Sequence, residues 1–428
     1  MPHLSKSQDS TSEPNQELIV DSMRGKGPPS SRSFFQYFLF SFILTCPFFI
    51  QIVMKMFGYY LMLLPSIQLS LGTLIQFGGG WILYRLFYDN VKATRINLIS
   101  LILFCTTIAF IYNVAVFFSE EFSNGYFEIG ASIVTFTLGG KWMESFLREQ
   151  SIDPFSHKQK SIFNMADRLS KVLLPIIAMS GLATFFAYIA TGSTMVRALD
   201  FSAVLIIVAC PSVLALAVPF ICFAIQNIGL RYGIRFKSLS VLDQVNAMQL
   251  LIVDAFYPLT TEIVNGVKKQ GIEIILLTEE DKRNLEHRDI IKNEHLETLF
   301  KKVTTLRQDN QMIGVLYKGV IPPLLLNKAD IIFGNDSDSD MTAIPDIILQ
   351  PEKVLSGCVD AIYLSRFALR KIRQNLFFSF TYHFLAIPLA ALGLINPFIA
   401  ASIISASLVS IITNTLFSYY WRPKWNQI

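Results

Sequence analysis

Ile207-Val208-Ala209-Cys210-Pro211-Ser212-Val213-Leu214-Ala215-Leu216-Ala217 sits inside an apolar run from 201 to 229. Roughly 20 mainly apolar residues suffice to cross a bilayer as a helix, so the run reads as a membrane span. Proline removes a helix hydrogen bond and frees carbonyls. A Cys-Pro pair in such a span therefore presents a soft sulfur beside exposed polar backbone. Seven other stretches have the same character, near 34–55, 60–86, 96–118, 127–147, 171–191, 376–394 and 397–419.

The composition agrees. The 428 residues are 52% hydrophobic and 16% charged, with 36 Phe and a mean hydropathy of +0.45, whereas a soluble protein carries about 25% charged residues. These values exclude a disordered chain and a nucleic-acid binder. A net charge of +4 is too small to define a partner. Five cysteines, four of them in apolar runs, give no disulfide framework. Residues 1–33 are polar and rich in Ser, Pro and Gly, a disordered tail and no signal peptide.

An even number of spans puts both termini on one side, and Lys and Arg choose it. Arg24, Lys26, Arg32, Arg85, Lys92, Arg95, Arg148, Lys158, Lys160, Arg422 and Lys424 share a side, with only Lys55 and Arg197 near the other. Cytoplasmic termini are expected, and the acidic loop Ser119–Gly125 fits an outer position.

The expected organisation is six spans over 34–234, a polar unit over 235–372, two spans over 373–419 and a tail over 420–428. In the polar unit, Leu250–Val253, Ile272–Leu277, Met312–Leu316 and Ile347–Leu349 read as strands. Glu262–Gln270, Asp281–Ile290 and Leu296–Val303 read as helices between them. Such alternation predicts a parallel α/β sheet.

The order of these pieces resembles the heavy-metal P-type ATPases, the copper and zinc exporters. Their metal-site span carries Cys-Pro-Cys where this chain has Cys210-Pro211-Ser212, and a phosphorylation domain follows. Its signature Asp-Lys-Thr-Gly-Thr-Leu-Thr is here Asp254-Ala255-Phe256-Tyr257-Pro258-Leu259-Thr260. Gly79-Gly80-Trp81 matches the family's glycine kink, which implies a platform for a metal chaperone. Tyr126-Phe127-Glu128 matches the segment whose Glu is implicated in metal release. Lys328-Ala329-Asp330, Ser339-Asp340 and Ala386-Ile387-Pro388-Leu389-Ala390-Ala391 match further family strings. The resemblance implies eight transmembrane helices, a small cytoplasmic α/β domain of the haloacid-dehalogenase-like type and a bacterial inner membrane.

The departures shape the functional expectation. Phosphoryl transfer needs cations to neutralise the phosphate oxygens. Counting back from Lys328-Ala329-Asp330, the family's two magnesium carboxylates become Lys318 and Pro322, and its Thr-Gly-Asp becomes Thr278-Glu279-Glu280. Only residues 151 to 170 occupy the place of the actuator domain, where a folded domain needs about 50 residues. No nucleotide-domain signature follows Asp254, and no cysteine precedes Cys46. The chain thus resembles a shortened, degenerate family member. Asp254 is expected to be a vestigial catalytic residue, with no ATP or magnesium as cofactor.

The family's copper site implies ligands from two Cys, a Tyr-Asn pair and a Met followed by Ser-Ser. Here the positions read Cys210 and Ser212, Tyr382 and His383, then Ile404 with Ser407 and Leu408. Cys210, Tyr382 and His383 are the candidate metal ligands and Glu128 a candidate release site. The competing readings are a buried apolar cysteine and a neutral histidine donating one hydrogen bond to a neighbouring helix. Asn335–Asp340 reads as a solvated turn, and Glu144 with Arg148 as a helix-stabilising pair.

The expected function is that of a catalytically inactive partner or regulatory subunit of a membrane complex, with a copper-related role. An ATP-driven copper exporter and a passive metal carrier are the alternatives.

Overall fold

A computed structural model describes residues 29–59, 63–93, 97–118, 127–150, 162–210, 212–277, 292–294, 312–319, 321–335 and 344–425. The predicted helices 281–290 and 296–303, Thr278-Glu279-Glu280, Ser339-Asp340, the loop Ser119–Gly125 and the tail before residue 29 lie outside them.

The chain starts with α1 (Ser31–Met56). Next come α2 (Pro65–Thr73), a π-helical turn (Leu74–Gly79) and α3 (Trp81–Lys92). Then follow α4 (Leu98–Phe118), α5 (Phe127–Glu149), α6 (Ile162–Ala190), α7 (Met195–Ala209) and α8 (Leu214–Arg231). Among the described residues, five helical stretches are long and apolar enough to cross a membrane: Ser31–Gln51, Leu98–Phe118, Ser170–Ala190, Met195–Arg231 and Ile399–Tyr420. The protein is an integral membrane protein.

The second apolar stretch is bent rather than straight. Gly80 N–H bonds the Ile75 carbonyl at 2.9 Å, a five-residue closure that widens the helix. A Cβ at Gly79 would strike the Ser41 hydroxyl, so the glycines let α1 cross closely. Close approach recurs at Gly140 of α5, where a Cβ would meet the Ala215 carbonyl of α8. Thr45 and Thr135 hydroxyls join α1 to α5 at 2.8 Å. The Glu149 carboxylate accepts the Ser31 backbone N–H at 2.7 Å, putting negative charge at the N-terminus of α1.

Beyond α8 lies a seven-stranded sheet. In chain order its elements are β1 (Ile234–Phe236), α9 (Ser240–Ala247), β2 (Met248–Asp254), α10 (Thr261–Lys268), β3 (Glu273–Leu277) and β4 (Lys292–Glu294). They continue with β5 (Met312–Leu316), α11 (Pro323–Leu326), β6 (Ile331–Gly334) and β7 (Ile347–Leu349). The strand order is β1-β7-β6-β5-β2-β3-β4, parallel throughout except for the β1–β7 pair. Residues alternate across the pleat. Leu250 and Ile252 pack with Ile275, Ile313, Val315 and Leu325 on one face. Leu251 and Val253 face the larger core shared with the membrane helices.

The longest of the described helices, α12, runs from Val354 to Ala391. At 1.5 Å per residue it spans about 57 Å. It crosses the expected boundary at 372, so one rigid element belongs to both the sheet and the helical body. Cys358, buried beneath the sheet, has its thiol pushed up by desolvation. Further along, Asn375 donates to the Ala217 carbonyl and to Thr415, both at 3.3 Å, and accepts from Asn414 at 2.7 Å. That knot ties α12 to α8 and to α13 (Pro397–Leu416). The chain then turns back, and the backbone N–H groups of Lys424 and Trp425 bond Asp360 at 3.0 and 3.2 Å.

Candidate functional site

The expected span 201–229 is two helices with a gap at Cys210. The residue before a proline is pushed out of the helical region by the pyrrolidine ring. Cys210 accordingly has φ −67° and ψ 111°, and α7 stops at Ala209. Its N–H bonds the Ile207 carbonyl at 3.2 Å, and its own carbonyl accepts from Ser212 at 2.8 Å. In a continuous helix the Ser212 N–H would have served the Val208 carbonyl. His383 serves it instead: its Nδ1 lies 2.6 Å from that oxygen. A carbonyl only accepts, so Nδ1 carries the proton. Nε2 is buried with no partner.

Among the described residues the buried hydroxyls of Ser212 after the break, Ser379 one turn before His383 and Ser407 on α13 also lack partners, as does that of Ser41 on α1. Buried polar atoms without partners are rare in native proteins, and each calls for a reason. Ser212 and Ser407 stand at positions where the resemblance implied metal ligands. Tyr382 is turned away, its hydroxyl 2.9 Å from Ser410 on α13. The two neighbours point about 100° apart, as adjacent helical residues must. Ile404 is buried with the core.

Glu128 lies half-buried in the first turn of α5. Glu144, near the other end of that helix, holds Lys141 at 2.7 Å and Arg148 at 2.9 Å. Glu144 and Lys141 line a small cavity with Leu214 and Ala215, just past the Cys210 break. Among the described residues, no three His, Cys, Asp or Glu come together to hold a metal ion. The cysteine the sequence left without a role, Cys105 of α4, is buried in the same core cluster as Cys210. No spacing rule pairs residues on two separate helices, so only packing reveals it.

Gly79 and Gly80 end the π-helical turn, and Trp81 opens α3 with 62% of its surface exposed. Below Trp81, Gln76 donates to Tyr84 at 2.7 Å and to Thr106 at 3.2 Å, fixing the bend.

Asp254 ends β2, an interior strand flanked by β3 and β5. Open α/β sheets bind ligands outside such carboxyl ends. Here one carboxylate oxygen accepts the Phe256 N–H at 3.0 Å and the other the Lys318 N–H at 3.2 Å. The Lys318 ammonium lies 3.4 Å from the centre of the Phe256 ring. Pro322 precedes the short α11. Magnesium takes several oxygen ligands at short range. The described groups around Asp254 are amides, an ammonium and an aromatic ring, and they do not fit it.

No family profile matches the sequence. A probable copper-transporting ATPase, PacS, of Synechocystis sp. (strain PCC 6803) is 29% identical over 192 residues, 42% of this chain and 26% of that relative. A copper-exporting P-type ATPase of Staphylococcus aureus (strain MRSA252) is 30% identical over 178 residues, 39% and 22% of the two chains. The chain thus spans about a quarter of the length of the curated relatives it matches. A zinc-transporting PIB-type ATPase in its E2·Pi state superposes with a TM-score of 0.68 at 11% identity, covering 89% of this chain and 99% of that one. The fold is that of a PIB-type ATPase, and the sequence relatives are copper-transporting P-type ATPases.

Proposed function

We propose that this heavy-metal P-type ATPase-like membrane protein neither hydrolyses ATP nor forms a phosphoenzyme. It serves as a non-catalytic partner or regulatory subunit of a membrane complex with a copper-related role. The observation that carries this reading is the setting of Asp254. A nucleophilic carboxylate must be free to meet a metal-bound phosphate, whereas both its oxygens accept backbone amides and the adjacent segment brings a lysine. In this reading eight helices cross a bacterial inner membrane with both termini in the cytoplasm. The sheet, of haloacid-dehalogenase-like type, offers a docking face, and Gly79, Gly80 and Trp81 form a ledge for a metal chaperone. The copper-related part rests on Cys210, the sulfur kept at the helix break, and on the copper-transporting relatives.

Those same relatives favour a second reading, an ATP-driven copper exporter. One experiment separates the two: incubation of the purified full chain with γ-labelled ATP and magnesium, with and without copper(I). The first reading expects no acid-stable label and no phosphate release. Turnover abolished by Asp254→Asn would overturn it and establish the exporter.

A further inference from the structure

The apolar stretches Met195–Arg231 and Ile399–Tyr420 both end where the sheet begins. Their ends meet. The Tyr232 and Trp421 rings touch edge to face at 5.6 Å, and the Arg231 guanidinium lies 5.4 Å from the centre of the Tyr419 ring. Arg422 donates to the Tyr232 hydroxyl at 3.1 Å. The amides of Lys424 and Trp425, bonded to Asp360, fix the chain just beyond it. Arg231, Arg422 and Arg235 of β1 are exposed. Among the described residues ion pairs join Lys141 and Arg148 to Glu144, and Lys237 to Asp346, and none involves these three arginines. Beside them a groove of about 240 Å³ runs between the last turn of α8 and the β1–β7 edge, lined by Leu230, Arg235, Ile348, Gln350 and Pro351 among others.

We propose that this collar binds an anionic phospholipid of the surrounding membrane, with Arg231, Arg235 and Arg422 pairing the headgroup phosphate and the groove taking the upper part of an acyl chain. Depth decides the occupant. Both spans end within the collar, so its guanidiniums stand at the level of the headgroups, where basic and aromatic side chains anchor helices. Arginine suits a phosphate because its planar fork donates two parallel hydrogen bonds. The Tyr232 hydroxyl occupies one of the five N–H donors of Arg422, and the others stay open to a ligand. Basic side chains near a membrane surface are drawn to anionic lipid. Here two of the three are also held in place, Arg231 against a ring and Arg422 by a hydroxyl, which lowers the cost of ordering them on binding. The rim is apolar: Leu230 is 58% exposed and Tyr420 76%. An acidic protein segment would match the charge, but it has no apolar tail to cover Leu230 and the groove. The site involves neither Asp254 nor Cys210, so it stands apart from the copper-related reading above.

The test uses the full chain, stripped of lipid in an uncharged detergent. It is titrated with phosphatidylglycerol or with phosphatidylcholine of the same acyl chains, and native mass spectrometry counts the lipid that stays bound. The natural sequence is expected to hold phosphatidylglycerol about tenfold more tightly than phosphatidylcholine. Replacing both Arg231→Gln and Arg422→Gln is expected to abolish that preference. Arg85→Gln, at an exposed arginine of α3 that does not line the groove, is expected to keep it. An equal loss in Arg85→Gln reports overall charge rather than a built site and overturns the proposal. Equal retention of the two lipids by the natural sequence overturns it as well. If the double variant does not fold, Leu230→Asp decides, since it sets a carboxylate on the exposed rim of the groove. It is expected to weaken phosphatidylglycerol binding, and an unchanged affinity sinks the proposal. Glycerol 3-phosphate and a hexaglutamate peptide are expected to displace no lipid. Displacement by the first would assign the arginines to a free phosphate ester and by the second to an acidic protein segment, and either result overturns the lipid.

Discussion

At the sheet tip, both oxygens of Asp254 are taken by backbone amides. At the membrane break, Ser212, Ser379, His383 and Ser407 each leave a buried polar atom without a partner. The two regions each retain one reactive residue from the family's pattern, yet treat its surroundings in opposite ways. Each oxygen of that carboxylate holds one backbone amide, which fixes its orientation at the strand end. Unsatisfied donors and acceptors cost stability where they are buried, and they persist most naturally where something else meets them. Of the two, the membrane break is therefore the better candidate for a surviving function.

The comparison breaks most directly at the packing that holds the break in place. In Gly140→Leu the new side chain meets the Ala215 carbonyl, one residue into α8. Overpacking of this kind costs about 3 kcal/mol. Thermal unfolding in detergent is expected to show a large loss, with the sheet retaining its own transition if the two regions melt apart. Asn375→Leu comes next. It strips the Asn414 amide of its acceptor and the Ala217 carbonyl of its donor, and buried groups left unpaired cost about 2 kcal/mol. Its melting curve is expected to shift down by less than that of Gly140→Leu.

The sheet tip is sharpened by adding chemistry back. Lys318→Asp removes the ammonium beside Phe256 and places a second carboxylate near Asp254. It is expected to gain magnesium-dependent stabilisation of about 1 kcal/mol at five times the dissociation constant. The same titration leaves the natural sequence unmoved. Magnesium stabilisation of the natural sequence would remove the contrast. The smallest effect belongs to Trp81→Ala, whose side chain stands in the open. Stability is expected to change by less than about 0.5 kcal/mol, so any loss of partner capture in that variant reports docking rather than unfolding.

The sequence shows the apolar helices well because lipid crossing demands long, uniform runs. The expected 96–118 is observed as Leu98–Phe118. Strands β5 and β7 were legible to the residue, since each is a short β-branched or apolar run between polar turns. Strands β1 and β4 were not, because Arg235 interrupts the first and Lys292-Asn293-Glu294 is wholly polar; β6, an apolar run as short as β7, went unread. The continuity of α12 was hidden as well. Its basic segment Arg370–Arg373 looks like a boundary at a membrane surface, but burial of Ile372 and Asn375 against α8 and α13 carries the helix straight through.

At the site, the Cys-Pro pair by itself determined that the helix would break, because proline restricts its predecessor through covalent geometry alone. Local chemistry also determined that Asp254 would close a strand. What only the tertiary structure decided is who meets whom. His383 takes the Val208 carbonyl, Tyr382 turns to Ser410, and Asn375 gathers Ala217, Asn414 and Thr415. Those meetings depend on the rotation and depth at which helices pack, and a chain written in one dimension contains neither until the helices are assembled.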